Sequence, residues 1–375
     1  MSFFGDIGAV LPYAVGAFVG AALLALVLTP VVRWAAIRFD LVDHPDERRV
    51  NVRPIPRAGG LAVAAAFLVV SVGFLAINAL TDAVPTPVFL ERPELIALLA
   101  GGAAAALIGL IDDYLQVRAR WQLVGQVALA AWAIALGIQI DFIASPLGGR
   151  IELSGVVAAG VTGFWIIGMV NSINFIDGLD GLSSGVGLIA ALTLGVISLT
   201  ATIGQPMIAV LCLALAGALL GFLRWNFHPA SIFIGTSGVM FVGYTLAVLS
   251  ILGTAKVAIA LLVLGVPIID TFWIIVRRLA SGRSPFAPDR GHLHHRLLDL
   301  GLSHRQVVLL IYGICALLAV LAIVLSGTGQ LYAFTGLLVL SGIGLLLISA
   351  RREVREELDA SSYPDDGSGQ SEGAG

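Results

Sequence analysis

The residues best suited to chemistry run from Asn171 to Leu182, Asn-Ser-Ile-Asn-Phe-Ile-Asp-Gly-Leu-Asp-Gly-Leu. Asn171, Asn174, Asp177 and Asp180 recur every third position, with apolar sequence at 156–170 before them and 186–203 after. An ionised group next to a bilayer costs several kcal/mol unless it is paired or hydrated, so two carboxylates here call for a partner. On an ideal helix each three-residue step turns a side chain back by about 60°, which spreads the four over about half the circumference. They can converge on one ligand only where the backbone opens, and Gly178 and Gly181 permit that opening and the close approach of a phosphate or metal. A polar loop joining two membrane helices is the plainer reading of the same residues.

Other polar clusters punctuate the chain. Adjacent Asp112 and Asp113 end an apolar run. On a helix they would point about 100° apart, so one can reach a ligand while a neighbour holds the other. Paired carboxylates suit Mg²⁺, with Mn²⁺ as the alternative ion, because such ions take oxygen ligands beside substrate phosphates. A solvated pair that merely stops the helix is also open. In the stretch from Asp40 to Gly60, Arg53 and Arg57 flank a rigid Pro-Ile-Pro and could bind phosphate, or could form a basic surface for anionic lipids. The turn Gly235-Thr236-Ser237-Gly238 offers amides and hydroxyls to an anion. Arg290, His292, His294, His295 and Arg296 lie together in one loop. Zinc is one reading of the histidines, but no cysteine is near and the arginines would repel a cation, so a sugar-phosphate clamp fits better. His228, beside Pro229, reads as structural, and Asp270 as an internal hydrogen-bond anchor.

The elements that position these groups are membrane helices. Of 375 residues, 58% are hydrophobic and 12% charged, which excludes an ordinary soluble enzyme, and the apolar runs are too long and uniform for barrel strands. Windows of about twenty apolar residues predict an all-α polytopic membrane protein of about eleven spans. They lie near 10–32, 59–80, 95–111, 122–140, 156–173, 183–203, 206–223, 236–252, 257–276, 307–325 and 331–349. The third is short and the eighth begins indistinctly, so ten is the alternative count. The first run reads as a retained helix and not as a signal peptide. Cys212 and Cys315 fall within apolar runs and read as packing residues. Residues 1–349 form one integral membrane domain on this reading, and the polar stretch 350–375 a disordered cytoplasmic tail.

Charge sets the expected orientation. With the first connection cytoplasmic, the outer loops hold only Arg92, Arg150 and Lys256, and the other eighteen of twenty-one basic residues lie inside. That split follows the positive-inside rule. It places the amino terminus outside, the carboxyl terminus inside, and every polar cluster named above at the cytoplasmic face of the inner (plasma) membrane. No nucleic-acid partner is expected.

Taken together, Asp112-Asp113, the Asn-x-x-Asn-x-x-Asp-Gly-Leu-Asp-Gly run and His292-Leu-His294-His295 resemble the polyprenyl-phosphate N-acetylhexosamine-1-phosphate transferases, over roughly positions 10 to 345. That family includes the phospho-N-acetylmuramoyl-pentapeptide transferase. The His-x-His-His form is similar to the branch that uses UDP-N-acetylglucosamine and starts cell-wall, O-antigen, lipopolysaccharide or teichoic-acid assembly. The resemblance implies transfer of a sugar 1-phosphate from a UDP-sugar to undecaprenyl or another polyprenyl phosphate, with release of UMP and a need for Mg²⁺. It implies metal ligation by Asn174, with Asp177 and Asp180 serving the metal or the nucleotide, and Asp112 and Asp113 beside the lipid phosphate. Asn171, Arg53 and Arg57 join the substrate-binding set, and the His/Arg loop would grip the UDP-sugar. A homodimer is one assembly the sequence permits. Two departures stand out: Thr236 occupies the place of an aspartate metal ligand in the family's Gly-Asp-x-Gly, and Asn51 replaces a frequent histidine. A secondary transporter, with carboxylates at broken helices, and a catalytically silent binding homologue are the competing classes.

Overall fold

A computed structural model describes residues 7–43, 54–85, 92–145, 149–200, 204–253, 256–280, 282, 292–325 and 328–361. Helices dominate: α1 (Ile7–Arg38), α2 (Gly60–Thr81), α3 (Arg92–Leu115), α4 (Ala119–Ala135), α5 (Gly155–Ile176), α6 (Leu182–Ser198), α7 (Pro206–Asn226), α8 (Gly235–Leu252), α9 (Lys256–Val263), α10 (Gly265–Ala280), α11 (Leu293–Asp299), α12 (His304–Val324) and α13 (Thr328–Ser361). Two small antiparallel ribbons complete the described elements. One pairs β1 (Val42–Asp43) with β2 (Ile55–Pro56), and the other pairs β3 (Phe142–Ala144) with β4 (Arg150–Glu152).

Among the described residues, seven helices are long and apolar enough to cross a membrane, or up to eight if the bent pair α9–α10 is one span. Four of the eleven predicted spans lie outside this count of seven, namely the fourth, sixth and ninth and the eleventh at 331–349, which falls within α13. The span expected at 122–140 is the 17-residue α4, which stops before Gly137 at φ +91°. That at 183–203 is α6, also 17 residues, ending at Ser198. The ninth breaks between Val263 and Gly265 with a 78° bend. Pro267 explains the break, since it has no N–H to donate and its ring crowds the carbonyl four residues earlier.

The chain divides into two compact units, Met1–Phe334 and Thr335–Gly375. In the second, helix continues to Ser361, past position 350, where the disordered tail was expected to begin. Residues 351–358 are mostly Arg, Glu and Leu, which are strong helix formers. Residues 362–375 lie outside the described residues.

In the first unit α8 is the innermost helix, with nearly every residue from Ser237 to Leu252 buried. Its amino-terminal end meets that of α2 backbone to backbone: a Cβ on Gly60 would stand 1.9 Å from Gly238 Cα. The segment between β2 and α2 runs alongside the approach to α8, through Phe233 N–H to Pro56 O (2.8 Å), Gly59 N–H to Phe233 O (2.9 Å) and Gly60 N–H to Ile234 O (2.8 Å). These bonds carry the Pro-Ile-Pro loop to the helix end where the acidic groups gather.

Candidate active site

A cavity of about 920 Å³ opens at these converging helix ends. Its walls include Asp113, Asn174, Asp177, Asp180, Thr236, Arg57 and His295 from the sequence-predicted set, together with Arg33, Asp43, Asn226, His228 and His304.

The Asn/Asp run opens as its glycines allow. α5 ends at Ile176, Asp177 is non-helical at its C-cap, and Gly181 at φ +80° starts α6. The turn carries Asn174, Asp177 and Asp180 onto one cavity instead of around half a helix. Asn171 stays behind on α5, its Nδ2 donating to Gln126 Oε1 of α4 (2.6 Å) and to Ile167 O (2.8 Å). Its amide thus joins α5 to α4, and Asn171 is not among the residues that line the cavity, where the substrate-binding expectation had put it.

Asp177 accepts a hydrogen bond from Ser183 Oγ. Burial pushes its carboxyl up to about 7, Asp113 and Asp180 add to the rise, and Ser183 and Arg57 oppose it. A half-buried, poorly solvated carboxylate with two others near it is a group that a cation would relieve. Asn174 and Thr236 also line the space, and their side chains, with the carboxylates, can offer the oxygen donors that Mg²⁺ takes.

The Asp pair divides as its helical angle predicts. Asp112 accepts from Gln122 Nε2 (2.8 Å) and does not line the cavity. Asp113 lines it, with Oδ1 accepting from Thr236 N–H (2.8 Å) and Oδ2 from Ser237 N–H (3.0 Å). Those are first-turn amides of α8, orphaned by helix geometry, so Asp113 works as their cap. Both its oxygens are thereby engaged.

Among the described residues, the first loop delivers one cation to the cavity. The β1–β2 ribbon holds Arg57 beside Asp43 at 2.7 Å. Arg53 and Arg290 lie outside the described residues.

The histidines split by role. His292 Nδ1 bonds Asp270 Oδ2 (2.9 Å) and Leu293 N–H donates to Asp270 Oδ1 (2.9 Å), so Asp270 anchors the start of α11. His294 is 2% exposed, and burial, aided by the neighbouring histidines, pushes its imidazole down to about 3, which keeps it neutral. His295 is the member of the trio that reaches the cavity. Arg296 lies on α11 and is not among the residues that line the cavity.

Asp180 Oδ2 accepts from Ala230 N–H (3.0 Å) and bonds His228 Nδ1 (2.7 Å). Asp180, His228 and His304 bring ligand atoms within 4.8 Å of one another. The two imidazoles, however, stack at 4.2 Å and 18°. Nitrogen lone pairs lie in the ring plane, so stacked rings direct them side by side and not at one ion. The cluster is a lock between the Asn/Asp turn and the segment after α7, and Arg305 strengthens it by donating to His228 O at 3.1 and 3.2 Å.

The family model for glycosyl transferase family 4 matches residues 95–254, a span that contains Asp113, the Asn/Asp turn and Thr236. The probable undecaprenyl-phosphate N-acetylglucosaminyl 1-phosphate transferase of Bacillus subtilis is 39% identical over 317 residues, covering 83% of this chain and 84% of that protein. The chain belongs to glycosyl transferase family 4. Membership covers the polyprenyl-phosphate N-acetylhexosamine-1-phosphate transferases that the motifs resemble. The chain is also 39% identical to the decaprenyl-phosphate N-acetylglucosaminephosphotransferase of Mycolicibacterium smegmatis, over 82% of this chain and 81% of the relative. The undecaprenyl-phosphate alpha-N-acetylglucosaminyl 1-phosphate transferase of Yersinia pestis is 28% identical over 80% of this chain and 81% of its own.

Of the cavity residues named above, five lie outside the sequence-predicted set: Arg33, Asp43, Asn226, His228 and His304. The Asn-Phe-His-Pro run beside Asn226 was a signal for His228. Arg33 was one basic residue among eighteen on its side, and nothing local set it apart.

Proposed function

We propose that this protein transfers N-acetylglucosamine 1-phosphate from UDP-N-acetylglucosamine to a polyprenyl phosphate, releasing UMP, as a first membrane step of cell-envelope polysaccharide synthesis. The observation that carries this reading is one cavity lined by Asn174, Asp177 and Asp180 together with Arg57 and His295, in a chain whose relatives carry the names given above. An oxygen of the lipid phosphate forms a bond to the β-phosphorus of the donor. The bond from that phosphorus to the bridging oxygen breaks, and UMP leaves with the electron pair. A phosphate monoester is already ionised at neutral pH, so no general base is needed. Asp113, whose two oxygens each accept an amide hydrogen, holds the end of α8 at the cavity, and the step written here is direct attack by the lipid phosphate. Asn174 and Asp177 would hold Mg²⁺, whose charge offsets that of the phosphates. Arg57 and His295 contribute to binding the soluble donor.

Incubating the purified protein with UDP-N-acetylglucosamine and undecaprenyl phosphate should yield a lipid-linked sugar diphosphate. Uptake of UDP-sugar into vesicles without a lipid product would favour a transporter, and binding without product would favour a silent homologue.

The reading includes a plasma-membrane location, eleven spans and a cytoplasmic cavity, with the amino terminus outside. Leu300, 76% exposed, is the position to probe, because Ser303 caps α12 through Gln306 and should be left intact. Leu300→Cys should resist membrane-impermeant thiol reagents in intact cells, against a background of two buried native cysteines. Ready labelling would reverse the orientation.

Thr236 stands where relatives are expected to place a carboxylate, and a neutral oxygen holds Mg²⁺ more weakly. Thr236→Asp should lower the Mg²⁺ concentration giving half-maximal rate and increase the stabilisation against heat that Mg²⁺ confers. An equal or greater requirement would show that position 236 is not in the metal shell.

A further inference from the structure

Helix α1 ends at the mouth of the cavity with an apolar outward side. Leu23, Val27, Val31 and Trp34 are 58, 65, 56 and 67% exposed, and their spacing of three and four residues keeps them on one side of the helix. The helix is fixed hard against α7. A Cβ on Gly217 would stand 2.0 Å from Phe18 O, and one on Gly221 2.0 Å from Ala22 O, so the two backbones touch. Trp225 Nε1 adds a hydrogen bond to Leu26 O at 3.1 Å.

About two turns beyond Leu26, past Pro30, the helix presents Arg33 to the cavity. Arg33 Nε donates to Ser231 O at 3.0 Å, which orients the guanidinium and leaves its two terminal nitrogens, with four N–H groups, for another acceptor. Among the described residues no carboxylate pairs with it, whereas Arg57, the other lining guanidinium, is bridged to Asp43 at 2.7 Å.

We propose that Arg33 receives the phosphate of the polyprenyl phosphate, with the hydrocarbon chain lying along the exposed apolar side of α1. This rests on the transferase reading above. A phosphate carried on a hydrocarbon chain must enter from the membrane, and α1 brings an apolar track and a guanidinium to the same edge of the cavity. Trp34 suits that level, where indole rings gather at membrane–water boundaries. Two parallel N–H···O bonds to a phosphate are the geometry that arginine provides and lysine does not.

The test measures binding without turnover, using detergent-solubilised full-length protein. The probes are a short-chain polyprenyl phosphate, the alcohol of the same chain, and UMP. The wild-type protein should prefer the phosphate to the alcohol. Arg33→Ala and Arg33→Gln should lose roughly tenfold to a hundredfold in affinity for the lipid phosphate, the range expected for charge-assisted hydrogen bonds. Arg33→Lys should fall between them and wild type, and UMP affinity should stay within about twofold throughout. Unchanged lipid-phosphate affinity in Arg33→Ala would overturn the assignment, as would an equal loss of UMP binding, which would place the nucleotide there instead. If Arg33→Ala melts early, Arg33→Lys and Arg33→Gln decide, and equal lipid-phosphate affinities in those two would overturn it. A wild-type protein that binds phosphate and alcohol alike would count against the transferase reading itself.

Discussion

Asp177→Asn is expected to lower transfer roughly 10²–10³-fold while leaving a folded, membrane-inserted protein. The carboxylate is half-buried, and desolvation together with the charges of Asp113 and Asp180 holds its ionised form at an energetic disadvantage that bound cation and substrate would exploit. Asparagine keeps an oxygen for Ser183 and removes the charge. The sign of the accompanying stability change follows from the raised folded value. Below about pH 4 both folded and unfolded forms are protonated, and Asp177 is neutral to stability. Between about 4 and about 7 the unfolded chain ionises first and the folded state loses ground, and above about 7 the deficit is constant. The rise from 3.8 to about 7 sets an upper bound of about 4 kcal/mol. In EDTA at pH 8, then, the asparagine variant should melt at a higher temperature than wild type, and the gap should close towards pH 4. Near-normal turnover in this variant, or a lower melting temperature at pH 8, would make Asp177 a structural group.

Gly178→Ala should be nearly as damaging, for a steric reason. A Cβ at Gly178 would stand 2.2 Å from His294 Nε2 and 2.8 Å from its Cε1. His294 cannot swing aside, since it is buried and packed between His292 and His295 at ring distances of 5.5 and 4.4 Å. α11 must move instead and take His295 away from the cavity wall. A loss of at least about 10²-fold in rate is expected, because misplacing a positioning group by about 1 Å has effects of that size. Adding His294→Ala opens the space, so the double variant should recover the melting temperature lost by Gly178→Ala alone. Normal stability of the single variant would mean that α11 does not rest on the Asn/Asp turn.

The acidic lining of the cavity was more legible in the sequence than the framework around it. Asn174, Asp177 and Asp180 could be chosen from residue type and spacing, because carboxylates and amides interrupting long apolar runs have few other uses. Their convergence was inferable from Gly178 and Gly181. Composition showed that the protein is helical and membrane-embedded, whereas apolar length alone does not set the number of spans, since α4 and α6 stop at 17 residues and the α9–α10 pair bends beside Pro267. Residues that support the site were hard to tell from those that line it. His292 and His294 look like His295 in sequence, and only the pairing with Asp270 and the contact with Gly178 turn them inward. Arg33 was invisible for a further reason. Its value comes from the α1–α7 backbone contact and from Ser231, 198 positions away, and no local pattern encodes such a contact.

Transfer of the phosphoryl group together with the sugar is the central claim, and UDP-N-acetylglucosamine labelled with tritium in the sugar and ³²P at the β-phosphorus tests it most directly. Incubated with the protein and undecaprenyl phosphate, both labels should move into the lipid fraction in equal amounts, with one UMP released for each. Tritium in the lipid with ³²P left behind in UDP would mean that the sugar alone is transferred, and would contradict the account.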